Sequence, residues 1–104
     1  MKRPSTVCCQ LFEMNWGIIG LGKISNKFTE ALKLVDDAAI YAVASRNQIK
    51  ADDFAKRHHA KKAYDSYEKL FRDEKVEVVY IGTPHVFHAE NAIAAMEHGK
   101  AVLC

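Results

Sequence analysis

Asn15-Trp16-Gly17-Ile18-Ile19-Gly20-Leu21-Gly22-Lys23-Ile24-Ser25 is the stretch on which the fold turns. Trp16 to Ile19 is apolar, too short for a helix and interrupted by Gly17, and it reads as a buried parallel strand. Gly20-Leu21-Gly22 follows, a turn in which two of the residues carry no Cβ. Ile24, Phe28, Ala31, Leu32 and Val35 then recur at helical spacing, so the stretch ends by opening a helix. Strand, glycine turn and helix in that order are the setting in which a G-x-G-x-x-G fingerprint marks a dinucleotide site. Gly20 permits the tight turn and Gly22 lets backbone approach a pyrophosphate. The helix N-terminus then aims free N–H groups and its positive dipole end at the phosphates. Ser25 holds the third glycine position and is small enough for helix–strand contact. The plain alternative is a strand–helix turn that carries two glycines and binds nothing.

Gly17-x-x-x-x-Gly22-Lys23 also has the spacing of a phosphate-binding P-loop. That motif needs Ser or Thr directly after the lysine to hold magnesium, and Ile24 stands there. Gly17 lies inside the apolar strand rather than in a loop, so the P-loop is set aside.

Working outward, the 104 residues are enough for one small domain. A net charge of +2 with interleaved acids and bases argues neither for nucleic acid nor for a membrane surface. No apolar run approaches the ~20 residues of a membrane span. Met1 to Glu13 starts with Lys2-Arg3 but has no apolar core of signal-peptide length. The expected location is the cytoplasm. Residues 1–13 are expected to be a disordered, dispensable extension, with residues 14–104 as the folded domain. Cys8-Cys9 and Cys104 are expected to be free thiols.

Beyond the first helix, Asp36-Asp37 reads as a polar turn, and Ala38 to Ala44 as a second buried strand. Asn47 is a good cap for a helix over Gln48 to His58, whose inner face should be Ile49, Phe54 and Ala55. Lys61 to Tyr64 looks like a short extended piece. Asp65-x-x-Glu68 resembles a capping box opening a short helix with Leu70 and Phe71. Val76 and Val78 to Ile81 form a third strand, broken by Gly82-Thr83-Pro84. A helix from about Phe87 to His98 carries Ala89, Ala92, Ile93 and Met96 on one face and stops at Gly99. Ala101 to Cys104 is a fourth strand. Strands alternating with helices imply an α/β, doubly wound parallel sheet of Rossmann type, present as its first four strands. Such sheets place ligands at the C-terminal ends of their strands.

Two further groups of residues reach that edge. Ser45-Arg46-Asn47 ends the second strand about 25 positions after Gly20, where an NAD site places an acid against the ribose hydroxyls. No acid is present. A hydroxyl and a guanidinium suit a ribose 2′-phosphate instead; the competing reading is a solvated basic loop with a helix cap. Lys50 adds charge at this corner but reads first as a surface lysine. Thr83-Pro84-His85 ends the third strand on the nicotinamide side. His88, three residues from His85, lacks a third partner for a metal and reads by itself as a cap or packing residue. His58, His59 and His98 stand near helix C-termini, and Tyr64 and Tyr67 read as packing.

These pieces together resemble the N-terminal domain of the Gfo/Idh/MocA family, the glucose-fructose oxidoreductase and inositol dehydrogenase group. They are Gly17 to Ile24, Ala44-Ser45-Arg46, Ala63 to Leu70, Val78 to Pro84, His88, and Gly99 to Cys104. The Tyr80-Ile81-Gly82-Thr83-Pro84 run and the ending Lys100 to Cys104 look most like the dihydrodiol dehydrogenase branch. The resemblance implies a hydride-transferring enzyme acting on a sugar, polyol or cyclic diol hydroxyl, with NADP as cofactor and NAD as the other possibility. It implies a cofactor site of Gly20, Leu21, Gly22, Lys23, Ile24, Ser45, Arg46, Thr83, Pro84, His85 and His88. In the family a Glu-Lys-Pro motif follows the fourth strand, and its lysine acts on the substrate hydroxyl. The expectation is therefore that this chain stops short of that motif and of a second α/β domain that would bring the substrate pocket and a homo-oligomer contact. No catalytic residue and no metal is assigned. Ser25 and His85, where many members carry asparagine, depart from the family pattern. The alternative from another class is a non-catalytic nucleotide-binding or sensing module of the same fold.

Overall fold

Gly17 explains how the first strand can sit at the centre of a tightly packed sheet. A Cβ at this position would lie 2.8 Å from Leu70 Cδ2 and 3.0 Å from Val76 Cγ1, so only glycine lets those side chains close over the strand. The computed structural model describes residues 14–35 and 38–103. The extension 1–13 with Cys8-Cys9, the Asp36-Asp37 turn, Cys104 and the side chain of His85 lie outside the described residues.

Strand β1 (Met14–Ile19) pairs in parallel with β2 (Ala38–Ala44) on one side and with β4 (Val78–Ile81) on the other. The β1–β2 register shifts between Trp16 and Gly17. Strand β3 (Lys62–Tyr64) extends the sheet beyond β2, and β5 (Ala101–Leu103) extends it beyond β4. The order is β3-β2-β1-β4-β5, so the chain winds outward from β1 in both directions. The sheet has five strands where periodicity counted four. The extended piece after the second helix is a true strand, but three residues are too few to show alternation.

Helices α1 (Lys23–Leu32), α2 (Gln48–His58), α3 (Tyr67–Phe71) and α4 (His88–Glu97) make the crossovers that parallel neighbours require. Alternate strand residues feed two cores. Ile19, Tyr41, Val79 and Ile81 pack with Leu70, Phe71 and Ala95 from α3 and α4. Ile18, Val43 and Tyr80 pack with Phe54 of α2 and Phe28 of α1. Phe28 stacks on Tyr80 with ring centroids 4.0 Å apart. The Tyr64 hydroxyl donates to Asp73 Oδ2 at 2.7 Å. Burial and that bond push the phenol up to about 12.

Helix positions follow the sequence closely, but helix faces do not. Asn47 caps α2, its Oδ1 accepting from the N–H groups of Ile49 and Lys50. Ile49, however, is 78% exposed, and the inner face is Ala51, Phe54 and His58. On α1 the buried residues are Ser25, Thr29 and Leu32, while Ile24 is exposed, and Val35, also exposed, lies beyond the helix end. Thr29 can be buried because its hydroxyl donates to the Ser25 carbonyl at 2.7 Å. On α4, Ala95 is buried while Ile93 and Met96 are exposed. Ser66 rather than Asp65 caps α3, accepting from Lys69 N–H. Asp65 instead pairs with Lys69 at 2.8 Å, which holds its carboxyl below the usual range. Gly99, at φ +78, follows α4 as its stop.

Candidate functional site

The crevice opens where the winding reverses, at the C-terminal ends of β1, β2 and β4. It is a cleft of 640 Å³ bounded by Gly20, Leu21, Gly22, Ile24, Ser45, Lys50, Tyr80, Ile81, Gly82, Thr83, Pro84 and His88. None of these residues carries a carboxylate. A larger hollow of 730 Å³ runs along α2 and β3, away from the glycine turn, and mixes Asp52 with Lys56, Lys61 and Lys62.

Three small residues build the turn. Gly20 sits at φ +76, and a Cβ there would lie 2.4 Å from the backbone of Gly82 and of Thr83. Ser25 is buried, and its hydroxyl donates to the Gly20 carbonyl. A Cβ on Gly82 would fall 2.0 Å from Ser25 Oγ. The β1 turn, the first turn of α1 and the end of β4 therefore meet backbone to backbone. Gly82 belongs to this contact as much as Gly20 does. The glycine after an apolar strand is its signal in the sequence, where by itself it reads only as a strand breaker.

Gly22 differs from both. It caps α1 in an extended conformation, φ −97°, with no side-chain cap and no acid in the first turn. A Cβ at Gly22 would meet nothing within 4 Å. The N–H groups of the first turn, which have no intrahelical acceptor, stand at the border of the cleft that Gly22 and Ile24 line. That arrangement fits a phosphate. Lys23 is exposed and not part of the cleft wall; only its backbone N–H, in the first turn of α1, stands near the cleft. Ile24, 71% exposed, supplies an apolar wall.

At the β2 corner, Ser45 Oγ accepts from Asn47 N–H at 3.1 Å, which leaves the hydroxyl proton to point at an anion. Lys50 borders the cleft, more than the sequence suggested. Arg46 does not. Its guanidinium stands 5.9 Å over the Phe87 ring, beside a hollow of 210 Å³ shared with Tyr67, Thr83, Glu90 and Asn91. At the β4 end, a 3₁₀ turn (His85–Phe87) follows Pro84. His88 Nε2 donates to the Thr83 carbonyl at 2.7 Å, and the Thr83 hydroxyl donates to Asn91 Oδ1 at 2.7 Å. His88 and Thr83 thus steady each other on the cleft wall.

The Gfo/Idh/MocA family model, described as an oxidoreductase family with an NAD-binding Rossmann fold, matches residues 14–104. The chain belongs to this family. Among curated relatives, this Gfo/Idh/MocA chain is 44% identical over 93 residues to trans-1,2-dihydrobenzene-1,2-diol dehydrogenase of Sus scrofa. It is 43% identical over 93 residues to the Homo sapiens enzyme of that name. Each match covers 88% of this chain and 28% of the relative, so the chain spans little more than a quarter of those proteins. A 3-ketoreductase from Actinomadura kijaniata, solved with NADP, superposes with a TM-score of 0.83 at 31% identity, over 86% of this chain and 29% of that one. Among the described residues, no helix is long and apolar enough to cross a membrane.

Proposed function

We propose that residues 14–104 form the cofactor-binding part of an NADP-dependent oxidoreductase that acts on a hydroxyl-bearing carbon of a sugar, polyol or cyclic diol. The observation that carries this is the α1 N-terminus. It is uncapped by any side chain, free of acids in its first turn, and open at Gly22 beside a cleft at the sheet's winding reversal. Bound NADP would supply a nicotinamide carbon that accepts or returns a hydride. The N–H groups of Lys23, Ile24 and Ser25 hold the pyrophosphate, and Ser45, Arg46 and Lys50 hold the 2′-phosphate. Ile24, Thr83, Pro84 and His88 line the route toward the nicotinamide, and His85 is assigned there from the sequence. The proton acceptor for the substrate hydroxyl and the walls of the substrate pocket are assigned to the part of the protein that corresponds to the rest of the relatives' length. The same reading carries residues 1–13 as an extension, a cytoplasmic setting and a homo-oligomer built outside residues 14–104.

Gly22→Val tests the assignment without disturbing the fold, because the new side chain enters open space at a φ any residue adopts. The expected result is an unchanged Tm with NADPH binding reduced at least about tenfold, as when a charge-assisted contact is lost. Unchanged NADPH affinity would remove the turn from the site.

A further inference from the structure

His58 is the last residue of α2, yet it is buried, 3% exposed, with its ring 4.5 Å from that of Phe54. It is not part of the cleft wall. Its Nε2 lies 2.8 Å from Asn26 Oδ1 on α1. Asn26 in turn donates from Nδ2 to the Gly22 carbonyl at 3.2 Å, and its backbone N–H donates to the same oxygen at 3.0 Å. The chain of bonds has one consistent direction. A carbonyl only accepts, so Asn26 must present its NH₂ to Gly22 and its oxygen to His58, and His58 must carry its proton on Nε2. The remaining Nδ1 then holds a lone pair. It makes no hydrogen bond and lies 3.9 Å from Glu30 Oε2, which cannot donate to it. Glu30 on α1, Lys33 at its C-cap, and Arg57 and His59 at the end of α2 are the charged or titratable groups around the ring.

The Gly22 carbonyl belongs to the same planar peptide as the Lys23 N–H, and in a trans peptide the two point in opposite directions. Holding the carbonyl into the helix therefore aims the N–H outward, at the position assigned to the pyrophosphate. We propose that His58 is a positioning residue for cofactor binding: through Asn26 it fixes the Gly22–Lys23 peptide, so that the end of α2 preorganises the phosphate-binding turn at the start of α1. The relay rests on the cofactor reading given above. It also assigns a role to a histidine that stands at a position of the α2 inner face where an apolar residue would suffice for packing.

Three variants and one spectrum test the relay. His58→Phe keeps a ring against Phe54 but cannot donate, and Asn26→Ala removes both side-chain bonds. Each should weaken NADPH binding about three- to tenfold, the scale of one lost hydrogen bond. The double variant leaves no buried partner stranded and should weaken binding no more than either single change, as expected for members of one chain. His58→Gln, whose amide can still donate to Asn26, should restore most of the affinity. In the unmodified protein at neutral pH, nitrogen NMR should find the His58 proton on Nε2. NADPH binding by the unmodified protein together with equal binding by the double variant would overturn the relay alone, as would a His58 proton found on Nδ1. Absence of NADPH binding by the unmodified protein would overturn the cofactor reading and the relay with it.

Discussion

Arg46 and Lys50 share one corner of the cleft but face it differently. Lys50 borders it, whereas Arg46 rests over Phe87. An exposed cation–π contact of this kind is worth about 0.5–1 kcal/mol. A charge-assisted bond to a phosphate is worth about 1.5–3 kcal/mol. The phosphate wins, so Arg46 is expected to leave Phe87 when a 2′-phosphate enters, for a net gain of about 1–2 kcal/mol. Arg46→Ala should therefore weaken NADPH roughly five- to thirtyfold, and Lys50→Ala, which gives up no ring contact, roughly ten- to hundredfold, each leaving NADH nearly unchanged. Fluorescence titrations of both cofactors against both variants measure this; equal losses of NADPH and NADH would place the two side chains elsewhere. The pairing of Ser45 with a basic residue was legible in the sequence. The direction of Arg46 was not, because it depends on Phe87, far along the chain in a 3₁₀ turn that follows Pro84.

Between elements, the decisive contact is the one among Gly20, Ser25 and Gly82. Gly82→Ala would put a methyl group 2.0 Å from Ser25 Oγ and 2.8 Å from the Gly20 carbonyl oxygen. Overpacking of this sort costs about 1–3 kcal/mol, and each kcal/mol lowers Tm by roughly 4–8 °C in a domain of this size. Thermal denaturation of Gly82→Ala should show that loss, and adding Ser25→Ala should recover part of it. Full stability of Gly82→Ala alone would mean the turn and β4 are not in close contact. The same scale shows why helix positions were legible and helix faces were not. Counting apolar residues finds the period, but Ser25, Thr29 and His58 occupy buried positions on polar side chains whose bonds are made locally or to a neighbouring helix. Ile24 meanwhile borders the cleft and Ile49 faces solvent.

Across the whole molecule, the alternation of strands and helices revealed the parallel sheet and its order of crossovers. It could not reveal β3, whose three residues gain their definition from pairing with β2 rather than from any pattern of their own. One titration reports on the packed state as a unit. Burial, and then Lys33, hold the His58 imidazole below its ordinary 6.5; Arg57 and His59 act the same way, and Glu30 opposes them. An unfolded chain takes up this proton near pH 6.5, and the folded protein takes it up only at lower pH. The stability from neutral His58 is thus complete above about 6.5 and is lost as the pH falls through the folded value. Between about pH 8 and about pH 5, Tm of the unmodified protein should fall further than that of His58→Phe. Parallel curves would show that the ring is accessible to protons in the folded state.

The most direct measurement is a paired titration of the unmodified protein with NADPH and with NADH. In the proposed assignment, the uncapped helix N-terminus beside the cleft takes the pyrophosphate common to both, and Ser45 and Lys50 on the cleft wall, joined by Arg46 swinging in from Phe87, take the 2′-phosphate that only one of them carries. Both cofactors should bind, NADPH tighter by roughly ten- to hundredfold. Equal affinity for the two, or binding of neither, would contradict the assignment of this cleft.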